Sequence, residues 1–421
     1  MTPDITEPAA RHTLYLCYFG LREPLVQTQV LPYLREIRKA GIDVSLLTFE
    51  PDLKGSWTAE EIGRKKEDLA RDGIQWHALA YHRSPPILST LFDVLSGTLF
   101  TIRLARKRKI DVFHSRGHIP APIAAIAKKF CGGKMIFDIR GFMPEEYTDA
   151  GIWKESGLVY KGVKRLEKWL MKKADGFVIL TERAREILFP GSEAEGRDEA
   201  GRPVEVIPCC IDGARFSITD DAAAALPDEA ANERRRPVFI YVGSLGGWYL
   251  TDEMIRFFHD AHRHDPQSFA KVLTQRDVEK AKLLLGENLT VNDFSVESAR
   301  PGEVPAHLKK ADVAISFIKA CYSKQSSSPT KIAEYLAAGL PIVSNSGVGD
   351  LDGLIEGENV GVILKGFEKE DYADALEKID VLLADPGLAE RCRTAAYKHF
   401  DIETVGGPAY RRIYKKLLDS K

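Results

Sequence analysis

Long uncharged apolar runs are missing from this chain: no stretch of 18 residues is free of charge, so no segment reads directly as a membrane span. Cysteine is scarce. The six (Cys17, Cys131, Cys209, Cys210, Cys321 and Cys392) form no CxxC pair and show no metal-ligand spacing, and adjacent Cys209 and Cys210 are poorly placed to bridge each other. They read as reduced core residues of a cytoplasmic protein. The N-terminal MTPDITEPAARH is polar and acidic, without the basic segment and apolar run of a signal peptide. Neither sign of charge dominates, with 59 Lys and Arg against 61 Asp and Glu and a net charge of −2, which argues against general affinity for nucleic acid. Any anion binding must be local. Neither half opens with a GxGxxG motif followed by an acidic residue about 20 positions on, which argues against a nicotinamide-dependent dehydrogenase.

What is present is a chain of 421 residues, 44% apolar and 29% charged, long enough for two hydrophobic cores. Runs rich in β-branched and aromatic residues recur between helical patterns at 13–19, 44–49, 110–115, 134–140 and 176–181. That spacing predicts a parallel sheet with crossover helices. A polar insert at 191–202 and a stretch of low hydrophobicity at 220–236 interrupt the pattern, which places a domain boundary near Pro208. Alternation resumes at 237–244, 268–275, 289–294, 312–318, 341–346 and 360–364. The predicted fold class is α/β, with two doubly wound Rossmann-like domains, 1–208 and from 209 onward, facing a cleft. In such sheets ligands sit beyond the carboxyl ends of the strands.

The most informative segment is SSSPTKIAEYLAAGLPIVSN, residues 326–345. Ser328 suits an N-cap, Pro329 the first helical position, and Gly339 the helix end. Lys331 then falls at the third helical position, where its charge opposes the helix dipole by roughly 0.3–1 kcal/mol. A bound anion reverses that penalty. Free backbone N–H groups, the hydroxyls of Ser328 and Thr330, and Lys331 would converge on a phosphate. Glu334, one turn deeper, is spaced to accept hydrogen bonds from vicinal ribose hydroxyls. Together they describe a nucleotide diphosphate; an exposed helix start with an ordinary Lys331–Glu334 pair fits the local pattern equally well. Two weaker anion candidates are the loop after the first strand, with Thr28 as N-cap, and Gly243, Ser244, Gly246 and Gly247 in VGSLGGWY. A routine strand-to-helix loop and a plain glycine turn explain those two as well.

The segments TQVLPYLREIRKAGIDVSLLTFE, DVFHSRGHIPAPIA, KMIFDIRGFMPEEY, VIPCCID, YVGSLGGWY and, above all, SPTKIAEYLAAGLPIVSNSGVGD resemble nucleotide-sugar-dependent glycosyltransferases of GT-B architecture, specifically the large family four of retaining enzymes. The likeness covers nearly the whole chain. It implies a donor, a UDP- or GDP-sugar, held mainly by 209–403, an acceptor held mainly by 1–208, and a C-terminal helix in 404–421 crossing back onto the first domain. By motif, Glu334 would bind the donor ribose, with Ser244, Ser328, Thr330 and Lys331 at the diphosphate, and Val296, after the 289–294 strand, beside the base. His118 matches a histidine that approaches the donor sugar and, with Lys331, is the expected catalytic residue. Arg140, Glu145 and Glu146 face the acceptor, on the same side as Thr28. A satisfied loop histidine, and a helix N-terminal carboxylate pair at Glu145 and Glu146, stay open beside those roles.

Two departures from the family pattern stand out. The position eight before Glu334, often a second glutamate, is Ser326, and the loop after the first strand of the second half lacks the usual Arg and Lys. Arg276, Lys319 or Lys324 would have to substitute. Glycosyl transfer builds negative charge on the leaving diphosphate, so the protein's task is electrostatic, and Lys331 is the expected donor of that stabilisation. Retention needs no strong enzymic base, whereas inversion would need one such as His118 or Glu145. No cofactor or metal is expected; Asp350 and Asp352 spell DxD but read as ordinary carboxylates. A basic amphipathic segment at 156–174 and a mostly apolar helix with a basic end at 84–109 fit either packing on the sheet or peripheral contact with the cytoplasmic face of a membrane, and the latter implies a lipid-linked rather than a soluble glycan acceptor. A sugar-nucleotide epimerase on the same architecture, or a catalytically silent nucleotide-sugar-binding protein, remains the alternative.

Overall fold

The computed structural model describes residues 11–216 and 237–419; the expectations made for the acidic N-terminal segment and for 220–236 fall largely outside them. Seven parallel strands form the first sheet in the order β3-β2-β1-β4-β5-β6-β7. They are β1 His12–Cys17, β2 Asp43–Pro51, β3 Ile74–Tyr81, β4 Val112–Arg116, β5 Lys134–Ile139, β6 Gly176–Ile179 and β7 Val204–Val206. The second sheet runs β10-β9-β8-β11-β12-β13, with β8 Val238–Val242, β9 Phe269–Leu273, β10 Phe294–Glu297, β11 Val313–Ser316, β12 Ile342–Asn345 and β13 Gly361–Leu364. Helices cover both faces of each sheet, so the central strands are buried throughout; β1 and β11 have no exposed residue. The fold is the doubly wound α/β pair expected.

Three strands depart from the sequence expectation, the short β7, Val204–Val206, being one that was not anticipated. β3 was not anticipated, because IQWHALAY alternates apolar and polar residues at a sheet edge rather than forming a continuous apolar run. The strand expected over 289–294 forms instead at Phe294–Glu297; residues 291–293 are a turn in which Asp293 accepts from the Thr290 hydroxyl and N–H.

The helices of the first unit are α1 Leu31–Arg38, α2 Ala59–Arg71, α3 Pro86–Arg108, α4 Ala121–Cys131, α5 Met143–Asp149, α6 Leu158–Lys173 and α7 Glu182–Leu188. The Gly407–Leu418 helix packs on α1 and β7, opposite the layer of α3, α4 and α6. It is pinned by two buried tyrosines. The Tyr410 hydroxyl donates to Asp138 at 3.1 Å, and the Tyr414 hydroxyl lies 2.9 Å from both Thr13 Oγ1 and His114 Nδ1. Burial opposes ionisation of Asp138, but Arg140, His114 and Arg116 outweigh it and hold the carboxyl far below the usual carboxylate range. Tyr410→Phe removes a donor from this buried carboxylate and should cost about 1–3 kcal/mol, read as a lower urea midpoint; an unchanged midpoint contradicts the anchoring role.

Candidate active site

Each sheet reverses its strand order once, at β1/β4 and at β8/β11, and a crevice opens at the carboxyl end of each reversal. The two crevices face one another. Between them lies a cleft of about 590 Å³ lined by Tyr18 and Phe19 after β1, Arg116 and His118 at the end of β4, and Arg140 and Glu146 after β5. Trp248 and Tyr249 after β8, Lys324 after β11, and Ser328 and Thr330 complete it from the second domain.

The Thr330–Ala337 helix starts one residue later than the sequence suggested with Ser328 as its cap and Pro329 as its first residue. Pro329 is the residue flanking it, and the Ser328 hydroxyl instead accepts the backbone N–H of Cys209 in the interdomain linker at 3.0 Å. A tertiary hydrogen bond thus wins over local capping. Lys331 is 8% exposed and has no hydrogen-bond acceptor among the described residues. Its Nζ lies 4.2 Å from the centroid of the Tyr241 ring and 4.0 Å from that of Tyr249. A Cβ at Gly243 would fall 2.6 Å from that Nζ, so the glycine is what admits the amine. Burial pulls the Lys331 pKa down to about 7, with Glu334 only partly opposing it. The ordinary Lys331–Glu334 ion pair does not form. Burial likewise raises the Glu334 carboxyl, against the pull of Arg215 and Lys331. Tyr249 is the wall between Lys331 and the cleft.

On the first-domain side, His118 Nε2 lies 2.9 Å from Glu167 of α6. Although burial opposes it, His118 and Lys164 hold the Glu167 carboxyl below its ordinary value; an ionised carboxylate only accepts, so Nε2 carries the proton toward it. The other ring nitrogen is left for the cleft. Arg140 lies 3.4 Å from Asp138 and 3.4 Å from Cys209 Sγ, and Arg116 lies 3.7 Å from Asp138. Two guanidiniums against one carboxylate leave the cleft floor net positive.

Several expected residues stand elsewhere. Thr28 is not an N-cap: the helical turns begin before it, and its hydroxyl donates to Pro24 O within them. Glu145 turns away from the cleft to Tyr160 and Lys164, while Glu146 lines the cleft and pairs with Lys324 at 3.0 Å. Val296 lies inside β10, in the core, rather than in the loop after a strand, because the strand itself moved. Ser244 is exposed beside Gly243, and its carbonyl accepts from Tyr241; Arg276 is exposed after β9, its backbone tied to Thr274. Lys319 donates to Asp149 O. Ser326, at the position of the missing glutamate, accepts from Phe142 N–H across the cleft edge. Asp350 caps α7 of the opposite domain by accepting from Glu182 and Arg183 N–H, and Asp352 accepts from Gly347 N–H. Among the described residues no group of three or more His, Cys, Asp or Glu is placed to hold a metal. Sequence reasoning missed Arg116, Glu167, Tyr241 and Tyr249; Arg116 stood two residues before His118, and the tyrosines flank the very glycine loop that was singled out.

Residues 26–210 match the family model described as glycosyl transferase 4-like domain, and 225–399 that of glycosyl transferases group 1. The chain belongs to the GT4-like glycosyltransferases of GT-B fold. Compared by sequence with curated proteins, this glycosyltransferase has no match. Among solved structures it is similar to a glycosyltransferase of Rickettsia africae, at TM-score 0.71 and 13% identity over 98% of this chain and 100% of the other. Sucrose-phosphate synthase of Thermosynechococcus elongatus gives 0.68 and 14% over 98% and 100%. HepE of Anabaena, in complex with UDP-glucose, gives 0.65 and 14% over 96% and 99%. These likenesses concern the fold. 

The buried amine has a measurable signature in the free glycosyltransferase. Lys331 titrates near 7 when folded and at an ordinary 10.5 when unfolded, so between those values the unfolded chain holds the extra proton. Stability therefore rises with pH across that window and its contribution is least below it. Urea unfolding at about pH 7 and about pH 9 should show this rise, and Lys331→Met should flatten it; an identical pH dependence in the variant would refute the burial of the charge.

Proposed function

We propose that this glycosyltransferase moves a sugar from a nucleotide diphosphate sugar, a UDP- or GDP-sugar, to an acceptor hydroxyl with retention, in the assembly of a glycan or glycolipid on the cytoplasmic side of a membrane. The observation that carries the reading is the buried, unpartnered Lys331 amine at a helix start, beside Gly243 and behind the Tyr249 ring that lines the cleft. A diphosphate that displaces the Tyr249 ring and lies along Gly243 meets Nζ there, and raises its pKa by supplying the missing anion. Thr330 and Ser328 border the same corner of the cleft, and Glu334, without a side-chain hydrogen bond of its own among the described residues, stands one turn deeper for the ribose. The UDP-glucose complex of similarly folded HepE supports the donor class.

In the reaction the anomeric carbon–oxygen bond breaks and its electron pair goes to the diphosphate, where Lys331 meets the growing charge. The acceptor oxygen bonds the anomeric carbon on the face just vacated, and its proton passes to a diphosphate oxygen. The fate of the candidate bases supports retention: Glu145 is turned from the cleft and His118 has one nitrogen engaged by Glu167. His118 orients the sugar through the other. Arg140, Arg116 and Glu146 frame the acceptor end, where exposed Phe19 and Leu25 also line the cleft, a mixture suited to an amphiphilic acceptor. The reading takes no metal, since Asp350 and Asp352 spend their carboxylates on backbone N–H groups. Six unpaired cysteines accord with a reducing compartment.

Thermal-shift titration with UDP-, GDP- and ADP-sugars tests the pocket. A ligand at 100 times its dissociation constant stabilises by about 2.7 kcal/mol; Lys331→Ala and Glu334→Ala should abolish the shift while staying folded, and shifts that persist in both reject the site. Because the diphosphate must bind protonated Lys331, donor affinity should fall as pH rises above about 7, by up to about tenfold per pH unit. A flat affinity profile from about pH 7 to about pH 9 in the wild-type protein would remove Lys331 from the diphosphate.

A further inference from the structure

Helix α3 carries its apolar stripe outward over its first four turns. Its outward stripe carries Ile87, Leu88, Leu91, Phe92, Leu95 and Leu99, all more than half exposed, with Ile87 at 70%. Its buried positions are Ser89, Asp93, Gly97, Thr98 and Thr101 over the first four turns and become apolar only at Leu104 and Ala105, with Val94, Phe100 and Ile102 partly buried. A helix serving only a water-soluble core shows the reverse arrangement. The inward face is firmly tied: Asp93, fully buried, accepts from the Tyr18 hydroxyl at 2.7 Å and from His82 N–H at 3.1 Å, and a Cβ on Gly97 would lie 2.8 Å from both Ile123 and Phe49. The outward apolar stripe ends in cations. Arg103 and Arg106 fall on its helical continuation, and Lys107, Arg108 and Lys109 follow, all exposed.

We infer that the outward face of α3 inserts into the interface of an anionic lipid bilayer, holding the protein peripherally on the membrane. The proposal deepens the glycosyl-transfer reading by naming where the acceptor is presented, and rests on that reading only for the acceptor. Among the described residues α3 is the one helix long and apolar enough to cross a membrane, but spanning would tear Asp93 and Gly97 from their packing and put a carboxylate in hydrocarbon. A second copy packed with its α3 parallel to this one would bring the same row of cations against itself. Lipid phosphates complement that row, and the long Arg and Lys stems reach past a buried apolar stripe to meet them. Helix α6, packed beside α4 in the same layer, adds exposed Leu158 and Trp169 among Lys161, Arg165, Lys168, Lys172 and Lys173. Its opposite side carries Glu167, which holds His118 of the cleft. The membrane-facing layer is therefore also the layer that supports the acceptor side of the site.

Co-sedimentation of the full chain with vesicles of phosphatidylcholine, alone or mixed with phosphatidylglycerol, tests this. Binding to the mixed vesicles is expected, weakened by salt, with little to the neutral ones. The double variants Leu91→Glu/Leu95→Glu and Arg103→Glu/Arg106→Glu should each lower vesicle affinity at least about tenfold with unchanged Tm and unchanged donor-induced thermal shift. Failure of the wild-type protein to bind mixed vesicles, or undiminished binding by both variants, overturns the proposal. So does a concentration-dependent dimer that the Leu91→Glu/Leu95→Glu variant disperses, which assigns the stripe to a second copy, or resistance to carbonate extraction, which makes α3 a span. The donor shift is read without vesicles, so loss of the donor reading and loss of the membrane reading give separate signals.

Discussion

One buried amine sets the terms for the second domain's half of the cleft. Lys331 is held between two tyrosine rings at the start of a helix, where the dipole is also unfavourable to it. The ring faces return about 0.5–2 kcal/mol, and the dipole takes back roughly 0.3–1 kcal/mol. Neither offsets the desolvation that brings the pKa down to about 7. Burial wins, and the free protein carries an amine poised between charge states at neutral pH. Structures keep such unpaid groups where chemistry uses them. The requirement spreads outward: Gly243 must lack a side chain, and its φ of 146° lies where L residues rarely go. Tyr241 and Tyr249 must be aromatic, and the first strand of the second sheet must end where it does.

The opposite wall meets a different constraint, that of fixing long polar side chains in place. Arg116 and Arg140 share Asp138, which is also held by Tyr410 from the C-terminal helix. The last helix in the chain thus tunes the charge on the floor of the first domain's crevice, which gives its crossing a consequence beyond burial. Contacts across the cleft do comparable work at its edge. Asp350 caps α7, Ser326 binds Phe142 N–H, Lys324 pairs with Glu146, and Ser328 holds the linker at Cys209. Most of these use the loop between β11 and the Thr330–Ala337 helix, so the segment that leads into Lys331 is also the one that bridges the domains.

The legible part of this protein was what depends on local pattern. Buried parallel strands are short β-branched runs, and the order of elements followed from them, except at the two sheet edges: β3, where an edge position permits the alternation seen in Gln75 and His77, and β7, only three residues long. The unusual standing of Lys331 in the SPTKIAEY segment was legible because a cation at a helix start is locally wrong. What a residue does in competition with distant partners was not legible. Ser328 has every local qualification for an N-cap and spends its hydroxyl on the linker. Val296 followed a strand placed five residues early, because the Thr290–Asp293 turn breaks a run that looked continuous. Glu145 and Glu146 are adjacent in sequence and face opposite ways. The aromatic walls of Lys331 could not be read from spacing, since Tyr241 and Tyr249 meet only after the glycine loop doubles back.

The same contrast between local and distant demands explains how α6 is used. Only Leu170 of its 16 residues is buried, and Leu158 is 89% exposed, so the helix contributes little to the core on which helices of this length ordinarily depend. What it contributes is Glu167 and Lys164, two side chains reaching inward to His118 and Glu145. A weakly buried helix is a poor clamp unless something else restrains it. Restraint from outside, by a surface that engages its apolar and basic residues, would fix Glu167 and through it the ring of His118. The exposed face of α6 and the position of the His118 ring are in this way mechanically one problem.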